Sequence, residues 1–252
     1  MLDETVTANA HRPLPRYTRL ARVYDALYRG AGKDYQSESQ QVHALIEQYR
    51  RCSDTTLLDV ACGTGAHLDH LRAWYAVEGL DMSTDMLDMA RKRLSNVPLH
   101  WANMIDFNLK KQFGAITCLF SSIGYVKTFD NLTGAVQSMA SHLLPGGVLI
   151  LEPWLTPDAY CEGTVHAIFT DEPDLKIARM SVSEQRGDVA VMEMHYMLAT
   201  PHSVEHFMDL HELGLFSRQE YAAAFHTGGL EMTHLENGLI GRGLYIGVKP
   251  VE

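Results

Sequence analysis

The run Leu57-Leu58-Asp59-Val60-Ala61-Cys62-Gly63-Thr64-Gly65, followed by Ala66–Trp74, constrains this chain more than any other segment. An apolar stretch this short reads as a strand buried on both faces. Gly63 and Gly65 let the backbone turn tightly and approach a ligand with no Cβ in the way. The helix that follows presents unpaired N–H groups and the positive end of its dipole at that turn. A strand of this kind needs parallel neighbours, and the sequence supplies them at Val77–Asp81, Val97–Trp101, Ala115–Phe120 and Val148–Leu151. Helices separate them: Ser83 caps one over Asp85–Leu94, and another over Asn131–Leu144 is closed by Pro145-Gly146-Gly147.

This alternation predicts an α/β fold, a doubly wound, mainly parallel seven-stranded sheet of the Rossmann-like type. Two amphipathic helices, Tyr17 to about Tyr28 and Tyr35–Arg50, precede the first strand and are placed to cover what the sheet binds. After Trp154 the pattern changes to strand-like runs, Lys176–Ser183, Ala190–Leu198 and Val204–Leu213, which predict an inserted antiparallel sheet. Ser217 then caps a helix, Arg218–Thr227. Met232–Glu236 and Gly243–Val248 form a closing hairpin pair. The expected organisation is an N-terminal arm and cover helix at 1–34, a core at 35–154, an insert for acceptor or dimer contacts at 155–213, and a C-terminal helix and hairpin at 214–252.

Charge and cysteine usage exclude several classes. With 21 basic and 31 acidic residues the net charge is −10, which argues against broad electrostatic binding of nucleic acid. No apolar run approaches the ~20 residues that span a bilayer, and the first residues lack a signal-peptide core. Cys52, Cys62, Cys118 and Cys161 form no C-x-x-C pair. They read as reduced thiols, and the chain as cytoplasmic.

The glycine turn also selects its ligand. A dinucleotide fingerprint needs a third glycine, and Leu68 stands there instead; no P-loop run exists. An acid, Asp81, closes the second strand 22 positions after Asp59, where a carboxylate can accept from both ribose hydroxyls. An adenosine ligand without phosphates fits these pieces.

At this point the chain resembles the class I S-adenosylmethionine (SAM) dependent methyltransferases. DVACGTG matches their first motif and Asp81 in GLDMS their ribose acid. LLDVACGTG, GLDMSTDML, CLFSSIG, LLPGGVLILEPW and GRGLYIGV are similar to one subgroup, the N,N-dimethyltransferases of nucleotide-linked amino sugars in macrolide biosynthesis. The resemblance spans Tyr17 to Val248. It implies SAM as cofactor and S-adenosylhomocysteine as product. Ala61 and Gly63 then line the methionine side, Asp59 is a further cofactor-binding residue, Asp81 holds the ribose and Met82 packs on adenine. Asn103, where the family has an acid, accepts from the adenine amine beside Met104. Tyr24 and Tyr35 sit near the cofactor, and Phe120 and Ser121 lie beneath the methyl group.

The acceptor side departs further from the subgroup. Relatives carry a histidine after SSIG, where this chain has Tyr125, and a second tryptophan after Trp154, where it has Leu155. A phenol is a poorer base at neutral pH than an imidazole. Tyr125 and His206 are the candidate catalytic residues. Tyr17, Tyr125, Trp154 and Met197 are expected to line the acceptor pocket, with Arg242 and Arg179 as diphosphate ligands. Such a pocket suits either the amino-sugar nitrogen or a flat aromatic acceptor of the indole type, methylated on N, C or O. No H-E-x-x-H or other three-ligand set emerges, so no metal is expected. The partner is a small molecule, with no nucleic acid and no membrane, and the apolar insert strands suit a homodimer.

Overall fold

The computed structural model describes residues 18–251. Helices α1 (Thr18–Gly30) and α2 (Tyr35–Tyr49) precede the core, which runs β1 (Thr56–Val60), α3 (Ala66–Leu71), β2 (Ala76–Asp81), α4 (Thr84–Arg93), β3 (Leu99–Trp101), β4 (Phe113–Cys118), α5 (Phe129–Ser141) and β5 (Leu143–Leu151). A 3-10 segment, Ser122–Val126, lies between β4 and α5. The insert is β6 (Val165–Glu172), β7 (Leu175–Arg186), β8 (Val189–Thr200) and β9 (Ser203–Gly214). The chain closes with α6 (Arg218–Thr227), β10 (Glu231–Leu235) and β11 (Leu244–Val248).

Seven strands form one sheet in the order β10-β11-β5-β4-β1-β2-β3, parallel except for β11, which is antiparallel to both β10 and β5. Successive residues of β1 explain why both faces are covered. Leu57 points into a cluster with Val42, Ile46, Leu68 and Leu87 from α2, α3 and α4. Leu58 and Val60 point the other way, against Leu132, Val136 and Met139 of α5 and Phe225 of α6. Chain direction across the sheet reverses between β1 and β4, which opens a crevice beyond the carboxyl ends of the strands.

Capping sets the helix limits. Ser83 accepts from Met86 N–H, and Ser217 and Glu220 close a reciprocal capping box. Thr128 accepts from Asn131 N–H, so α5 begins two residues earlier than the apolar pattern predicts. It also ends earlier, because Leu143 already pairs with Phe113. Pro145, Gly146 and Gly147 therefore lie inside β5, at a register shift, and not at a helix end.

The second sheet is a four-stranded antiparallel meander, β6-β7-β8-β9. β6 is absent from the sequence-based expectation. The inner face of this sheet sits on α1: Ile177, Met194 and Tyr196 pack with Leu20, Val23 and Leu27. The cover helix is thus clasped between the insert and the crevice. Among the described residues no helix is long and apolar enough to cross a membrane.

Candidate active site

The turn after β1 is left-handed three times in five residues, with φ of 59° at Ala61, 55° at Gly63 and 73° at Gly65. The two glycines have different work. A Cβ built on Gly63 meets nothing within 4 Å, whereas one on Gly65 would lie 2.6 Å from Cδ1 of Leu94, the residue that follows α4. Gly63 therefore faces open space, and Gly65 permits close packing behind the turn.

Asp81 ends β2 inside this crevice. Its Oδ2 accepts from Gly63 N–H at 2.8 Å and its Oδ1 from Ser83 N–H at 2.8 Å. Burial raises its pKa, while the backbone donors pull the other way. Beneath it, Asp59 accepts from the Thr117 hydroxyl at 2.7 Å. Full burial, with the charge of Asp81 nearby, lifts the Asp59 carboxyl to about 7.

A cavity of about 500 Å³ starts at Asp81 and Gly63, runs past Met82, Met86 and Met104, and ends at Tyr125 and His211. Asn103 Oδ1 is engaged within its own loop, accepting from Ile105 N–H at 3.1 Å. A smaller adjoining space is lined by Tyr24, Tyr35, Asp59, Ala61, Gly63 and Phe120. Its roof is polar and tied down. The Thr64 hydroxyl donates to Asp25 Oδ1 of α1 at 2.7 Å, and Arg93 Nη2 meets Asp25 Oδ2 at 2.5 Å. Lys33 and His67 both bond Glu38; burial opposes ionisation of that carboxyl, but these two bonds outweigh it and hold its pKa low.

Leaving β4, Phe120 and Ser121 adopt φ of 55° and 60°. Glu152, with no exposed surface, holds this bend: its Oε2 accepts from Phe120 N–H at 2.6 Å. The Ser121 hydroxyl donates to Pro153 O at 2.6 Å and accepts from Arg242 Nη1 at 2.9 Å. Arg242 also lies over the Trp154 ring, 4.5 Å from its centroid. Tyr28 stands edge-on to Phe120, and Arg179, buried on the inner insert face, donates to the Tyr28 hydroxyl at 3.3 Å.

The structure brings Tyr24, Tyr35, Asp59, Ala61, Gly63, Asp81, Met82, Met104, Phe120 and Tyr125 to the crevice; Ser121, Trp154, Arg179 and Arg242 do not line it and connect to it through neighbours, Arg179 through the Tyr28 hydroxyl and Arg242, which carries Trp154, through Ser121. Two expectations need correction. His206 stacks on His195 on the outer face of the insert, and Met197, its cross-strand neighbour, is 54% exposed there. Pleating alternates faces, so His206 and His211, five residues apart, point in opposite directions. Tyr17 lies outside the described residues. The sequence reading missed His211, Glu152, Tyr28 and Asp25. The parity of β9 held the signal for His211, because alternate residues of that strand are buried.

Residues 57–147 match the family model described as "Methyltransferase domain". A dTDP-3-amino-3,4,6-trideoxy-alpha-D-glucopyranose N,N-dimethyltransferase of Streptomyces venezuelae is 44% identical over 90% of this chain and 97% of its own length. The crystal structure of Streptomyces venezuelae DesVI superposes with a TM-score of 0.88 at 44% identity, covering 91% of this chain and 98% of that one. A SAM-bound amino pentose methyltransferase of Micromonospora echinaspora, involved in calicheamicin biosynthesis, gives 0.83 at 39% identity over 90% and 96% of the two chains. The glycine turn, the carboxylate beside it and this likeness across nearly the whole chain give one conclusion: the protein belongs to the class I SAM-dependent methyltransferases, in the family of the sugar N,N-dimethyltransferases.

Proposed function

We propose that the enzyme methylates the amine of a nucleotide-linked amino sugar in specialised metabolism. When bound, SAM supplies a methyl carbon already activated by positive sulfur. The crevice fits it. Open space stands where Gly63 lacks a Cβ, and the Tyr35 hydroxyl, buried beside it, finds no partner among the described residues. In this reading Asp81 accepts from the ribose, Met82 and Met104 flank the adenine with Asn103 beside them, and Asp59, Ala61 and Tyr35 enclose the methionine end. Tyr24, Phe120 and Ser121 bound the transfer point and exclude water, so that the protein works mainly by alignment.

The observation that carries the acceptor assignment is Arg242. Its guanidinium is anchored to Ser121 and Trp154 at the bend expected to face the methyl group, with Gly241 and Gly243 at positive φ on either side. A cation held this way suits a diphosphate. Arg179 is the second candidate for that role. The relatives, named for dTDP-amino sugars, support this chemistry.

We extend the reading to assembly. The outer insert face exposes Phe169, Met180, Val182, Met197 and Met208, an apolar patch suited to a second copy of the chain. Four free cysteines support a reducing, cytoplasmic setting. The deciding experiment is methyl release from labelled SAM across a panel of dTDP-amino sugars. Transfer to at least one is expected; no transfer, with intact SAM binding, overturns the sugar reading.

A further inference from the structure

We infer that His211 is a positioning and proton-accepting residue that acts through Tyr125, so that the two side chains together serve as the base for the acceptor amine. The inference rests on the methyl-transfer reading above. Tyr125 Oη and His211 Nδ1 are 2.6 Å apart, and both line the cavity that begins at Asp81. Tyr125 belongs to the 3-10 segment and His211 to the inner face of β9. Two further links fix these elements against each other. A Cβ on Gly124 would come within 2.9 Å of Leu213 Cδ2, so the Leu213 side chain packs directly on the Gly124 backbone, and Lys127 pairs with Glu212 at 2.5 Å. The dyad therefore lies where β9 packs on the 3-10 segment.

Its chemistry follows from the two groups. A phenol alone is a weak base near neutral pH, whereas an imidazole takes a proton readily. A tyrosine that donates to an imidazole presents its own oxygen as an acceptor. As the acceptor nitrogen bonds the methyl carbon, the carbon–sulfur bond breaks and its electron pair stays on sulfur. The nitrogen is left with one proton more than the neutral product. That proton passes to the Tyr125 oxygen while the phenolic proton passes to His211 Nδ1, and the imidazolium later returns it to water. Among the described residues, Tyr24 and Tyr28 of α1, Asp209 on the same face of β9, and Lys127, whose ammonium pairs with Glu212, surround the dyad.

The test compares Y125F, H211Q and the double variant. Each single change should lower kcat by about tenfold or more, with the double no worse than the single variants, because the residues act as one base. SAM affinity by calorimetry should stay within about twofold of wild type, since the dyad serves the acceptor end. At saturating acceptor, wild-type kcat should fall toward acid pH as the imidazole protonates, and H211Q should lose that fall. Unchanged turnover and pH profile, or a loss of SAM affinity that matches the loss of turnover, overturns the dyad. If the wild type binds SAM but methylates no amino sugar, the sugar reading fails, and the dyad is then judged by NMR. The His211 ring signal, assigned by its absence in H211Q, should titrate at a shifted pH in Y125F; an unmoved titration overturns it.

Discussion

Asp81 holds Gly63: the carboxylate that closes β2 accepts, at 2.8 Å, the N–H of the glycine that faces the cavity. One side chain thus fixes the shape of the turn and, in the proposed complex, offers its charge to the ligand. Asp81→Asn keeps the size but turns one acceptor into a donor facing backbone N–H groups. We expect SAM affinity to fall by about 1.5–3 kcal/mol, roughly tenfold to a hundredfold. Calorimetry with SAM and with the demethylated product measures it, and wild-type affinity would show that the ribose lies elsewhere.

Two alanine substitutions in the same turn should separate binding from stability. Gly63→Ala imposes a left-handed alanine, costing about 1–2 kcal/mol, and projects a methyl into open cavity space. SAM affinity should drop while the melting temperature falls only a little. Gly65→Ala carries the same strain and drives a Cβ to 2.6 Å from Leu94 Cδ1. Its dominant effect should be a lower melting temperature. Equal effects on both quantities in both variants would remove the distinction drawn between the two glycines.

Local chemistry made the cofactor side readable. The glycine turn and the caps at Ser83 and Ser217 each depend on neighbours a few residues away, and Asp81, although its bond to Gly63 spans 18 residues, closes a strand the apolar pattern marks by itself. Long-range relationships were not readable. Glu152 matters because it reaches Phe120, 32 residues before it, and His211 because β9 docks on the segment holding Tyr125, 86 residues earlier. Pro145–Gly147 misled for a different reason: residues that usually end helices here form an irregularity inside β5, where Gly146 takes a φ of 77°. β6 escaped notice because most of its residues, including Val165 and Phe169, are exposed, so no clean alternation marks it.

The cover helix is latched to the turn through Asp25, which takes the Thr64 hydroxyl on one oxygen and Arg93 of α4 on the other. The Arg93–Asp25 pair is largely sheltered, with side-chain exposures of 27% and 18%. Asp25→Ala leaves Arg93 and Thr64 without this bridge while removing nothing from the crevice lining. Faster release of SAM is expected, by roughly five- to tenfold, since a hydrogen bond to a charged group is worth about 1.5–3 kcal/mol and Arg93 also bonds Thr64 O. Stopped-flow displacement measures the rate. An unchanged rate would mean that α1 holds its place through Leu20, Val23 and Leu27 alone.

Asp59 should make stability fall as pH rises. Its carboxyl is lifted to about 7 in the folded chain by burial, against an ordinary value of about 3.9. Below pH ~4 the group is neutral whether the chain is folded or not, and its burial costs no charge desolvation. Between about 4 and 7 the unfolded chain releases the proton and the folded chain keeps it, so the folded state loses ground with every step in pH. The loss is complete near 7 and on the order of 4 kcal/mol, at about 1.4 kcal/mol per unit of pKa shift. Asp59→Asn keeps an acceptor oxygen for Thr117 and cannot ionise. The variant and the wild type should therefore melt together near pH 4 and diverge up to pH 7, with the variant the more stable, in thermal scans made without cofactor. A constant gap at every pH would mean that Asp59 is already charged in the folded protein, and that the Thr117 hydroxyl stabilises a carboxylate and not an acid.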